Sequence, residues 1–124
     1  MVTTTDVAQL SQECNAWRES LRSFRDLFTH LKQDLQLQAR LHRQKEDLLQ
    51  VEHFDNQFHI QLINIHDLKQ QIKYHDRKIT LAAADAGITD SLLAEHEDLH
   101  GSFVDLEQTL QDVREDFARF TAKA

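Results

Sequence analysis

The chain has 124 residues, within the range of one domain, and 28% of them are charged, for a net charge of −7. Two glycines and no proline leave few residues for the turns of a sheet protein, and good helix formers fill the interior, so an all-α fold is expected. The negative balance repels nucleic-acid phosphate, and the cations cluster only mildly at Arg40, Arg43 and Lys45, so no nucleic-acid partner is expected.

In chain order, the first predicted helix covers about 6–36, with Thr5 or Asp6 as its cap. Its large apolar residues recur at alternating steps of three and four: Val7, Leu10, Cys14, Trp17, Leu21, Phe24, Phe28, Leu31 and Leu35. That alternation gives a helix one narrow buried face. The second helix, about 46–84, carries a seam through Val51, Phe54, Phe58, Gln61, Ile65, Leu68, Ile72, His75 and Ile79. The third, about 90–122, carries Leu92, His96, Leu99, Phe103, Leu106, Leu110, Val113, Phe117 and Phe120. All seven phenylalanines and the one tryptophan fall on these seams.

The two connections differ in clarity. Between the second and third helices, Gly87 suits a C-terminal cap, and Thr89 or Asp90 suits the next N-cap. Between the first and second, residues 36–50 contain no Gly, Pro, Ser or Asn. Phase decides there. Extending the first seam by sevens predicts core positions at His42 and Leu49, whereas the second seam begins at Val51, a slip of two residues. At about 100° per residue that slip turns the apolar face to the wrong side of a single helix. A reversal within Leu37–Lys45 removes the conflict. The expected fold is a single-domain antiparallel three-helix bundle, 1–124, with coiled-coil-like heptad packing. Residues 1–45 carry a net +2 and residues 88–124 a net −6, so the first and third helices are expected to lie side by side and attract.

Three long antiparallel helices with a seam tryptophan in the first resemble a spectrin repeat in architecture. The stretch Lys45-Glu46-Asp47-Leu48-Leu49-Gln50-Val51-Glu52-His53-Phe54-Asp55-Asn56-Gln57-Phe58-His59 is similar to a segment of small uncharacterised bacterial helical proteins. That resemblance implies a bundle and carries no activity with it.

The most reactive motif is His96-Glu97-Asp98-Leu99-His100, a literal H-E-x-x-H. On a helix this spacing sets two imidazoles on one face for zinc, with the Glu as general base. Here His96 is a seam position, Glu97 points away from it, no further His follows His100, and no strand is expected to hold a peptide. The match is read as coincidental, the chain as non-enzymatic, and no catalytic residue is assigned. A second reading is a histidine-based zinc or iron site near the turn between helices two and three, with His75, His96 and His100 as candidate ligands and Asp76 or Asp6 beside them. The favoured alternative is a hydrogen-bonded histidine layer that specifies register, with no cofactor. Gln61 is expected to help set alignment, Cys14 to be a small buried hydrophobe, and His59 and His66 to be solvated.

Leu49, Ile60, Ile63 and Tyr74 lie at or near the side of helix two opposite its seam, where polar residues belong. Such a stripe marks a partner surface, and a homodimer through the outer face of helix two, or else an unknown protein partner on that face, is expected. One cysteine, no apolar run of membrane-spanning length and an N-terminus unlike a signal peptide place the chain in the cytoplasm as a structural or protein-interaction module.

Overall fold

The computed structural model describes residues 4–41, 44–85 and 87–123. Three helices account for nearly all of them: α1 (Thr4–Leu41), α2 (Lys45–Ala84) and α3 (Asp90–Ala122), and the described residues include no strand. At about 1.5 Å per residue each helix spans roughly 50–60 Å. Ser11 meets Asp76 and Phe28 meets Phe58, so residue numbers fall on α2 as they rise on α1. His75 meets His96 and Phe54 meets Phe120, which makes α2 and α3 antiparallel in the same way. The result is an antiparallel three-helix bundle in which α2 is the shared partner and α1 touches α3 least.

Heptad spacing determines what is buried. Every position of the three seams is buried or half-buried. The tightest packing is aromatic. Phe58 stands edge-on to Phe28 at 5.6 Å and to Phe117 at 5.1 Å between ring centroids. Phe54 extends this layer through Phe117 at 5.3 Å and Phe120 at 5.4 Å. Edge-to-face rings add about 0.5–1.5 kcal/mol per pair beyond the apolar area they bury.

The ends of the helices show where local sequence prevails and where it does not. Gly87 takes a φ of 89°, and its N–H donates to the Ala82 carbonyl at 2.6 Å, closing the end of α2. A Cβ there meets nothing within 4 Å, so the position favours glycine for its backbone angle and not for space. Thr89 then caps α3, its hydroxyl accepting from the Leu92 N–H at 3.2 Å. At the chain's start α1 already includes Thr4, so neither Thr5 nor Asp6 begins it. The preference of those residues for caps is worth only about a kcal/mol, too little to stop a helix with a seam to bury.

At the other end α1 continues to Leu41, five residues beyond the expected boundary at 36. No breaker occurs there, so the backbone continues after the core has ended: Leu35 is 2% exposed, Leu37 54% and Leu41 74%. Gln44, in extended conformation, is the N-cap of α2, and its carbonyl accepts from Leu48 at 3.0 Å. Arg43, part of the basic group noted above, and His42 lie outside the described residues; Arg40 and Lys45 are exposed. No described helix is long and apolar enough to cross a membrane.

Candidate functional site

The seams carry three reactive side chains into one layer of the core near the Gly87 end of the bundle. Cys14 comes from α1, His75 from α2 and His96 from α3, with exposures of 0%, 0% and 6%. His75 Nε2 lies 2.9 Å from His96 Nδ1. The outward nitrogen of each ring meets a carboxylate: His75 Nδ1 is 2.8 Å from Glu95 Oε1, and His96 Nε2 is 3.2 Å from Glu13 Oε2. Glu95, His75, His96 and Glu13 therefore form one continuous chain across three helices. Lys78 Nζ donates to Glu95 Oε2 at 3.2 Å. The Trp17 ring lies 4.7 Å from that of His96 and covers it. Cys14, His75 and His96 each place a potential ligand atom within 4.8 Å of the other two.

The proton count of this chain is informative. Its three contacts need three protons if both carboxylates are ionised. Two neutral imidazoles supply two, one per ring. If both are used on the carboxylates, two ring lone pairs face each other across 2.9 Å. A cation between the rings relieves that repulsion, as does one further proton on the chain, either shared by the rings or carried by a carboxyl.

Two groups at the site have displaced titrations. Burial, reinforced by the Asp76 and Glu13 charges, pushes the Cys14 thiol up to about 12, with Arg18 opposing. Burial alone would raise Glu95, but the hydrogen bonds from His75 and Lys78 together outweigh it and hold the carboxyl below its usual value. Asp76 accepts from the Ser11 hydroxyl at 2.8 Å and faces Arg18 at 4.0 Å, which ties α1 to α2 beside the cluster.

The structure brings His75 and His96 together and leaves His100 apart. His100 is exposed and stacks on the outer side of Trp17, with centroids 5.5 Å apart and planes 4° from parallel. His96, Glu97 and His100 consequently do not converge as a metalloprotease motif requires: His96 is engaged with His75 and Glu13, and Glu97 is exposed. Gln61 is buried, but its side-chain oxygen accepts from Asn64 at 3.2 Å within α2. Within the seams, the polar pinning between helices therefore rests on the histidines, with Asp76 adding its contacts to Ser11 and Arg18 alongside. His59 and His66 are exposed.

Three participants were not read from the sequence. Glu13 and Glu95 directly precede seam residues, and their side chains reach over the seam edge. Cys14 occupies the α1 position level with His75 and His96, so aligning the three seams layer by layer is the signal that finds it.

Elsewhere, a groove of about 560 Å³ lies at the opposite end of the bundle, between the start of α2 and the end of α3. Its charged lining residues are Glu46, Asp47, Asp116, Arg119 and Lys123, and Arg119 pairs with Asp116 at 2.9 Å. On the outer side of α2, Leu49, Ile60, Ile63 and Tyr74 are 57%, 46%, 46% and 58% exposed. Leu81 continues the stripe. The chain matches no family model, no curated protein and no solved structure.

Proposed function

We propose that this chain is a non-enzymatic, cytoplasmic helical bundle that works as a structural or protein-interaction module, with the outer face of α2 as its contact surface and a second copy as the partner. One observation carries this reading: the exposed apolar residues of α2 have mirrored spacing. Eleven residues separate Leu49 from Ile60, and eleven separate Ile63 from Tyr74. Eleven residues are close to three full turns, so each pair returns to one line, and the two lines, about 60° apart, make one stripe. The midpoint between Gln61 and Leu62 lies equally far from Ile60 and Ile63, and equally far from Leu49 and Tyr74. A twofold axis there sets Leu49 opposite the partner's Tyr74 and gathers four isoleucines around the axis. A stripe that is self-complementary under a twofold axis suits a symmetric dimer.

Fully burying such a side chain is worth about 1.5–3 kcal/mol, and these are already half covered. Eight of them across the axis contribute on the order of 10 kcal/mol before the cost of association, which points to a dimer at micromolar concentration. The reactive groups support the non-enzymatic part of the reading. Cys14, His75 and His96 are inside the core, and at the far groove Arg119 is paired with Asp116. Light scattering at micromolar concentration is expected to give twice the chain mass of 14.5 kDa. Ile60→Glu with Ile63→Lys is expected to return it to one chain. A wild type that is monomeric throughout that range refutes the self-association.

A further inference from the structure

We propose that Cys14, His75 and His96 are the ligands of one divalent transition-metal ion of the zinc class, bound inside the bundle between all three helices. The donor set is one sulfur and two imidazole nitrogens, the borderline-soft combination that zinc takes in both structural and catalytic sites. The arrangement of the rings carries the inference. Metal-binding histidines direct one nitrogen to the ion and donate the other N–H to a carboxylate or carbonyl. His75 and His96 are both placed in this way, with Glu95 and Glu13 as the outer carboxylates at 2.8 Å and 3.2 Å. Their inner nitrogens lie 2.9 Å apart, and Cys14, from α1, places its sulfur within 4.8 Å of a ring nitrogen of each.

A metal ion in that position satisfies the proton count with two neutral rings. Each keeps its single N–H for its own carboxylate, and both inner lone pairs are used. Cys14 loses its thiol proton to solvent when the sulfur binds, as metal-bound thiols do. Tetrahedral zinc with Zn–N bonds of about 2.0–2.1 Å sets its nitrogens roughly 3.3 Å apart. The ring nitrogens, now 2.9 Å apart, need to separate by only a few tenths of an ångström. Three protein ligands leave one tetrahedral position open. The site does not depend on the dimer, since none of its residues is on the outer face of α2.

The test uses untagged protein, refolded with one molar equivalent of Zn²⁺ or of Co²⁺ so that burial does not block entry, and then dialysed against metal-free buffer. The expected result is one metal per chain. The Co²⁺ form should show a thiolate-to-metal charge-transfer band that Cys14→Ser lacks. Chelator competition should show an affinity loss of about tenfold or more in His75→Gln and in Cys14→Ser. The exposed-histidine variant His53→Gln/His59→Gln should bind as wild type does. If His75→Gln fails to fold, the Cys14→Ser spectrum still decides. A folded wild type that retains no stoichiometric metal overturns the proposal, and so does a Co²⁺ complex without a sulfur band that Cys14→Ser leaves unchanged.

Discussion

Replacing Phe58 with alanine tests the packing of the bundle at its most aromatic layer. The side chain is 0% exposed, stands edge-on to Phe28 and Phe117, and lies 6.0 Å from Phe54. The substitution removes the transfer energy of a buried ring, three ring contacts shared between all three helices, and the volume that separates them. Rigid neighbours from three directions cannot close that space fully, so Phe58→Ala should cost ~3–5 kcal/mol, the range for aromatic deletions from cores. A chain of this length has a total stability on the order of 10 kcal/mol, so the loss is a large fraction of it. Urea denaturation followed by circular dichroism measures it directly. The midpoint should fall while the slope stays at the wild-type value, which marks a change in stability and not in the unfolded state. Phe120→Ala, at a half-buried position at the end of the same layer, should cost clearly less. A loss below about 1 kcal/mol at Phe58 refutes the packing described here, because that value belongs to surface substitutions.

Two further outcomes follow from the histidine layer. With chelator present, His75→Leu or His96→Leu alone should cost ~1–3 kcal/mol by orphaning the other ring, whereas the double variant should be near neutral or more stable than wild type. Urea melts of all four proteins give the coupling, and additive losses would mean that the rings are not in contact. Cys14, fully buried and with its thiol pushed up to about 12, should resist iodoacetamide at pH 8 in chelator-treated folded protein and react at once in urea. Mass spectrometry reads the adduct, and rapid labelling of the folded chain would contradict the burial.

The seams were legible because a heptad pattern reports directly on which face of a helix is buried, and three independent runs agreed on length. The Gly87 turn was legible for a local reason: a residue that tolerates positive φ is followed by a threonine whose hydroxyl can accept from the next turn. The end of α1 was not. Leu37 and Leu41 sit in sequence that favours helix equally well inside the bundle or beyond it, and only the end of the core at Leu35 separates the two cases. At the site, seam register brought out His75 and His96. It also misdirected His100, which shares a helix face with His96 in the loose sense of one turn but lies on the seam's flank, where it is exposed and stacks over the buried Trp17 from outside. Glu13 and Glu95 sit on the same kind of flank and reach inward. Side-chain length and the partner available, rather than periodicity, decide which way a flank residue turns. Cys14 looked like packing because a buried thiol in an apolar seam fills the role of a small hydrophobe until its neighbours on the other helices are known.

The self-association of α2 is tested most directly by its register. In a Cys14→Ala background, Asn56→Cys and Asp67→Cys place two exposed positions of α2 equally far from the midpoint between Gln61 and Leu62, so each faces the other across the proposed twofold axis. Facing helices about 8–10 Å apart bring such pairs within the Cα separation that a disulfide spans. Mild oxidation at micromolar concentration should convert this variant to a covalent dimer. The control pair Asn56→Cys with Gln71→Cys, displaced by about one turn, should remain largely uncrosslinked. Equal crosslinking of both pairs, or none of either, would contradict a symmetric dimer through the outer face of α2.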